Sequence, residues 1–233
     1  MTIAPTASFS DQLDALLVRA ERSRRGSRRE GDRLRPLGPK ATRTRAAIID
    51  AGIEVFCRHG YQASSVGAVH ERAGVSLGTF YQYFRDKADL VVTIVAEAVI
   101  ASADRMFRGF DAERGEAGVA AVVDGFVRHY AATAEFQRVW EEVFHLEPGV
   151  ADLRTRLSEV VEASFAESIA VGQAHGEVDA SLEPRLTARA LAAMVDRTCF
   201  LTFVIDGAGR DAVPEVTATL TQLWANALRL ETA

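Results

Sequence analysis

The chain has 233 residues, 25% of them charged and 48% hydrophobic, and its mean hydropathy is near zero, so it falls among ordinary globular proteins with a real core. Its apolar stretches are short, as in Val91 to Ile100 where Glu97 intervenes, which excludes the roughly 20-residue apolar run of a spanning helix. The formal net charge of −5 divides unevenly, because residues 1–45 carry 11 Lys/Arg against 5 Asp/Glu while residues 46–233 carry 16 against 27, so polyanion binding is expected only at the N-terminal end.

In chain order, Ser10 caps a short amphipathic segment with Leu13, Leu16, Leu17 and Ala20 at helical spacing. A tract of six arginines from Arg24 to Arg35 follows, with too little apolar area to offset ordering, so residues 1–42 read as a mobile basic arm. Acids at Asp11 and Asp14 argue against a leader peptide, and a cytoplasmic location is expected. From Thr42 the pattern is helical. Thr42 or Thr44 is the expected cap of a first helix reaching Arg58, with Ile48, Ile49, Gly52, Val55 and Phe56 inward and Gly60 as terminator. Ser65 caps a short second helix to Ala73, Gly74-Val75-Ser76 forms a tight turn, and Ser76 caps a third helix to about Phe84. Asp86 opens a fourth helix from Lys87 toward Phe107, and Gly109 to Gly118 reads as a loop. Further helices are predicted over Val119–Thr133, Glu135–Phe144, Val150–His175, Arg185–Ile205 and Pro214–Leu230, which makes nine after the arm and no strand.

Two short helices joined by a Gly turn have the dimensions of a helix-turn-helix, whose second helix enters the major groove. Phe80 and Phe84, four residues apart, point together toward the first helix, which leaves Thr79, Gln82 and Tyr83 on other faces. Gly78 permits close approach to a duplex, Gln82 can bond a base edge, and Tyr and Thr hydroxyls can hold phosphates. Lys87, beside the free N–H groups opening the fourth helix, suits another phosphate. His70 reads either as a phosphate partner or, on the general exposure of polar groups, as a partly exposed surface residue.

Residues 43–90 resemble the DNA-binding domain of the TetR (tetracycline-repressor-like) family of bacterial regulators. The resemblance rests on Ile48, Ala51, Phe56, Gly60-Tyr61, Ser64-Ser65-Val66, Val69, Ala73 to Ser76, Gly78 to Tyr81, Tyr83-Phe84, Lys87 and Leu90. It implies an all-α fold, with an N-terminal three-helix helix-turn-helix domain at 43–90 and a C-terminal helical ligand-binding and dimerisation domain at 91–233. By position it makes Thr79, Tyr81 and Lys87 phosphate contacts, Leu77, Gly78, Gln82 and Tyr83 the groove-facing set, and Ser65 a backbone-anchoring cap. Gly67 departs from the family, where a larger polar residue is common. The arginine-rich arm is either a minor-groove binder or a solvated tail.

Downstream, aromatic side chains recur at helical spacing and fit either a core or a cavity wall. The resemblance favours an effector cavity drawn from Met106, Phe107, Phe110, Phe126, Tyr130, Trp140, Phe144, Phe165, Cys199, Phe200 and Phe203, for a mostly apolar ligand with His129, His145, Asp196 or Arg197 as polar anchors. Ala188, Leu191, Ala192 and Val195, with Leu220, Leu223, Trp224 and Ala227, offer a helix–helix seam that serves either the core or self-association. The resemblance implies a homodimer on a palindromic operator, most simply a repressor released by its effector, with the fourth helix as lever between Lys87 and Phe107. No membrane partner is expected. Enzymatic chemistry has no footing: histidines at 59, 70, 129, 145 and 175 lack HxxxH or HExxH spacing, and there is no phosphate loop or GxSxG elbow. Cys57 and Cys199 read as buried free thiols without a metal cluster, so no cofactor is expected. A non-specific architectural DNA binder is the remaining alternative.

Overall fold

The computed structural model describes residues 38–107 and 114–230, with side chains described for 38–98 and 114–230. The basic arm up to residue 37, the side chains of Met106 and Phe107, and Phe110 therefore lie outside the described residues. Every regular element described is helical: α1 Pro39–His59, α2 Val66–Arg72, α3 Leu77–Tyr83, α4 Lys87–Phe107, α5 Gly115–Ala132, α6 Ala134–Leu146, α7 Pro148–His175, α8 Pro184–Cys199 and α9 Val213–Leu228. The chain forms two compact units, whose described parts are 38–99 with 138–154, and 100–107 with 114–137 and 155–230. None of the described helices is long and apolar enough to cross a membrane.

In the first unit, α1 begins three residues before the expected cap. Pro39 occupies its first turn, where a missing N–H costs nothing, and Gly38 precedes it. Thr42 and Thr44 lie inside the helix, and their hydroxyls donate back to the carbonyls of Gly38 and Lys40 at 3.3 and 3.1 Å. Ile48, Ile49, Ala51, Val55 and Phe56 form the inner stripe. Gly52 belongs to it because α4 passes so close that a β-carbon there would lie 2.7 Å from a Leu90 methyl. The α6–α7 corner closes this core with Val139, Val143, Val150 and Leu153, all buried.

In the second unit, α5 runs along α9, and α7 and α8 complete a core that includes Val123, Phe165, Ile169, Cys199, Phe203, Leu220 and Trp224. The rings of Phe165 and Trp224 meet edge-to-face at 5.3 Å. α5 starts at Gly115, four residues before the expected Val119. α8 ends at Cys199, and the predicted continuation to Ile205 is a wider π-helical turn, Phe200–Ile205. The predicted helix–helix seam serves the core at five of its eight positions. Ala188, Leu191, Val195, Leu220 and Trp224 are buried in their own unit, because small and apolar residues at that spacing are what the α8 and α9 core contacts require. Of the predicted seam, Leu223 and Ala227 stay exposed and Ala192 is half-buried, and further exposed apolar positions are Leu186 (66%), Leu201 and Ile205 (60%).

Candidate nucleic-acid interface

The helix pair is fixed at each end by local chemistry. Ser65 Oγ accepts the Ala68 N–H at 3.1 Å and Ser76 Oγ accepts the Thr79 N–H at 3.1 Å, so each short helix has its N-cap. Between them, Gly74 takes φ +66°. The Gly74 N–H bonds the Glu71 carbonyl at 3.1 Å and the Val75 N–H the His70 carbonyl at 3.1 Å, the paired bonds of a Schellman stop. Glu54 of α1 holds both Arg58 and Arg72, and the hydrogen bond from Arg72 leads the effects that lower its carboxyl pKa.

α3 then divides by face. Phe80 and Phe84 are buried, 0% and 2% exposed, with their rings 5.8 Å apart, anchoring the helix to the core. On the outer side Leu77 is 44% and Tyr81 50% exposed, Gly78 and Gln82 are exposed, and Thr79 and Tyr83 are half-buried. The Thr79 hydroxyl shares a 2.8 Å hydrogen bond with Ser76 Oγ. These outer residues form one continuous ridge of a large apolar side chain, two aromatic hydroxyls and an amide, the surface that groove reading requires.

Lys87 stands differently from its sequence expectation, and His70 is partly exposed as expected. Lys87 directs its ammonium inward, onto the carbonyls of Tyr61 at 2.6 Å and Ser64 at 2.9 Å, with Gln62 at 3.5 Å, and lies 4.1 Å over the Tyr61 ring. Burial lowers its pKa, while Glu142 and Glu147 act in the opposite direction. His70 is half-buried, with Nδ1 3.0 Å from the Val75 carbonyl. No local pattern marks Glu142 and Glu147, whose hydrogen-bond partners Tyr61 and Gln62 lie 80 to 86 positions away.

The expected cavity residues divide between the units. Trp140 and Phe144 belong to the unit of the helix-turn-helix, and the Arg154 guanidinium lies 4.5 Å over the Phe144 ring. Phe126, Tyr130, Phe165, Cys199, Phe200 and Phe203 belong to the other. There Phe126 and Tyr130 stack at 5.7 Å, the Tyr130 hydroxyl approaches Asp196 at 3.4 Å, and Arg197 lies 5.0 Å over the Phe200 ring. His129 is half-buried and His145 exposed. Burial, and then the charge of Asp196, push the Cys199 thiol up to about 12.

A capped helix-turn-helix with an outward polar-aromatic ridge, in a chain whose described regular elements are all helical, has the form of a DNA-binding domain. Comparison with known proteins places this region: residues 48–94 match the family described as bacterial regulatory proteins, tetR family. It is 26% identical over 155 residues to the fatty acid metabolism regulator protein of Bacillus subtilis, covering 65% of this chain and 79% of that one. It is 40% identical over 73 residues to the HTH-type transcriptional repressor KstR of Mycolicibacterium smegmatis, covering 30% of this chain and 36% of the relative. The fold is similar to that of the regulator FadR from Bacillus subtilis, solved in complex with stearoyl-CoA, with a TM-score of 0.59 at 20% identity over 78% of this chain and 98% of that one. These relatives are named, in turn, as a regulator of fatty acid metabolism, a transcriptional repressor and a transcriptional regulator.

Proposed function

We propose that the chain is a ligand-responsive repressor that binds a palindromic operator as a homodimer and leaves it when a mostly apolar small molecule binds the C-terminal helices. The observation that carries this reading is the ridge of α3, exposed at Leu77, Gly78, Tyr81 and Gln82 while Phe80 and Phe84 lock the helix beneath it. Thr79 and Tyr81 take phosphates, Leu77, Gly78, Gln82 and Tyr83 meet base edges, and Ser65 holds the start of α2 against the backbone. Lys87, with its donors turned onto carbonyls, is assigned to holding the segment before α2. In this reading residues 43–90 read DNA, 91–233 sense and dimerise, and the arm before residue 43 adds non-specific attraction.

The effector class follows from two supports, the aromatic and thiol side chains of the second core and the acyl-CoA bound by the Bacillus subtilis relative. A long-chain acyl thioester is therefore the first probe. A duplex is selected from a randomised pool with the full chain, and its affinity is measured by fluorescence anisotropy at fixed salt, with and without stearoyl-CoA. Discrimination of about 10³ or more over a scrambled duplex is expected, with release on adding the thioester. Equal affinity for both duplexes would identify an architectural binder, and a ligand that binds without changing operator affinity would remove the release step.

A further inference from the structure

The five residues from Gly60 to Ser64 join α1 to the Ser65 cap of α2, and opposite charges grip their peptide groups from two sides. The N–H groups of Tyr61 and Gln62 both donate to one carboxylate, Glu142, at 2.8 Å each. The carbonyls of Tyr61 and Ser64 accept from Lys87. The Tyr61 ring lies beneath that ammonium, and its hydroxyl donates to Glu147 at 2.8 Å. Gly60 leaves the space this needs, since a β-carbon there, at φ +77°, would lie 3.2 Å from a Glu142 oxygen.

Both carboxylates come from the α6–α7 corner, which is itself rigid. Glu141 turns the other way to bond Arg154 at 2.7 Å, and Val143 and Val150 are buried on either side of the bend. A bidentate carboxylate on two successive N–H groups is directional in a way that apolar packing is not, so it fixes the angle at which the chain enters α2. The Schellman stop carries that angle to α3.

We propose that Glu142 and Glu147 are positioning residues for operator recognition: from outside the helix-turn-helix, they set the seat of the 60–64 segment and hence the presentation of the α3 ridge. The inference rests on the DNA-reading role proposed above. Glu142→Gln is the direct test, because an amide keeps the shape but sets its NH2 against a backbone N–H. Affinity of the full chain is measured for the duplex selected by the wild type and for a scrambled one, alongside thermal unfolding and hydrogen exchange at the Tyr61 and Gln62 amides. The expected result is about tenfold weaker binding to the selected duplex, equivalent to about 1.4 kcal/mol, with binding to the scrambled duplex unchanged and both amides exchanging faster. Tyr61→Phe, which removes the bond to Glu147 and keeps the ring, is expected to weaken specific binding about threefold in a fully folded protein.

Specific binding at wild-type strength in both variants would overturn the proposal. So would a parallel loss on both duplexes that tracks the unfolded fraction, since that describes a purely structural clip. A wild-type chain that selects no duplex at all defeats the DNA-reading role instead.

Discussion

His70 and Val75 are joined twice across the turn between α2 and α3: the His70 carbonyl accepts the Val75 N–H at 3.1 Å, and His70 Nδ1 lies 3.0 Å from the Val75 carbonyl. A carbonyl only accepts, so Nδ1 carries the proton. The double link ties the side chain of one helix to the backbone leading into the next. A net hydrogen bond of this kind contributes about 0.5–1.5 kcal/mol. His70→Ala is therefore expected to lower unfolding free energy by about 1 kcal/mol in a denaturant titration, and His70→Asn, which retains a donor, is expected to recover part of it. An unchanged midpoint in His70→Ala would show that the Schellman stop alone holds the turn.

Gly52 and Gly78 are both helical glycines, and their surroundings predict opposite outcomes. A β-carbon at Gly52 would meet Leu90 at 2.7 Å, whereas at Gly78 it would meet only Ser76 Oγ, at 3.9 Å. Overpacking costs about 1–3 kcal/mol, so Gly52→Ala is expected to lower stability by that order. Among the described residues nothing requires glycine at 78, and a helical Gly→Ala change there is worth up to about 1 kcal/mol in the stabilising direction. Gly78→Ala should thus melt higher than wild type yet bind the selected duplex more weakly, since the added methyl stands on the reading face. Tighter or equal binding would show that the backbone at 78 does not approach DNA closely.

The local features of the reading head were legible because they are encoded locally. Ser65 and Ser76 as caps, Gly74 as the turn residue, and the Phe80/Phe84 anchor each follow from residues within four positions. The start of α1 was misplaced because Thr42 and Thr44 have the chemistry of caps, but Pro39 lets the helix begin earlier. Faces of α8 and α9 were read as a seam because an apolar stripe is the same pattern whether a helix packs on its own core or on another copy. The roles of Lys87, Glu142 and Glu147 depend on partners 23 to 86 positions distant. No local periodicity carries that information.

Cys199 gives the stability a pH dependence of definite sign. Its thiol is buried and held up to about 12, from an ordinary 9.0, chiefly by desolvation. The unfolded chain therefore loses this proton first as pH rises, and the folded state is disfavoured from about pH 9 upward until the folded thiol also titrates. Between pH 8 and pH 10 the wild type is expected to lose roughly 1 kcal/mol more than Cys199→Ala, measured as the difference in denaturant stability. Equal losses would mean that the thiol is solvated in the folded state. Native Cys199 should also resist alkylation at neutral pH until the protein unfolds.

The exposed apolar side chains on α8, its π-helical continuation and α9 separate self-association from folding. Ile205 and Leu223 are exposed, whereas Leu220 and Trp224 are buried on the core side of α9. A charge at an exposed position has little effect on a monomer's stability but is costly in an apolar interface between copies, where it is left unpaired. For the proposed homodimer, Ile205→Asp and Leu223→Arg are expected to shift the chain from dimer to monomer in analytical ultracentrifugation at micromolar concentration, with a helical spectrum like the wild type's. Leu220→Ala should instead lower stability by about 2–5 kcal/mol, as a large-to-small change in a core does. Retention of the dimer in both charge variants would place the contact elsewhere on the chain.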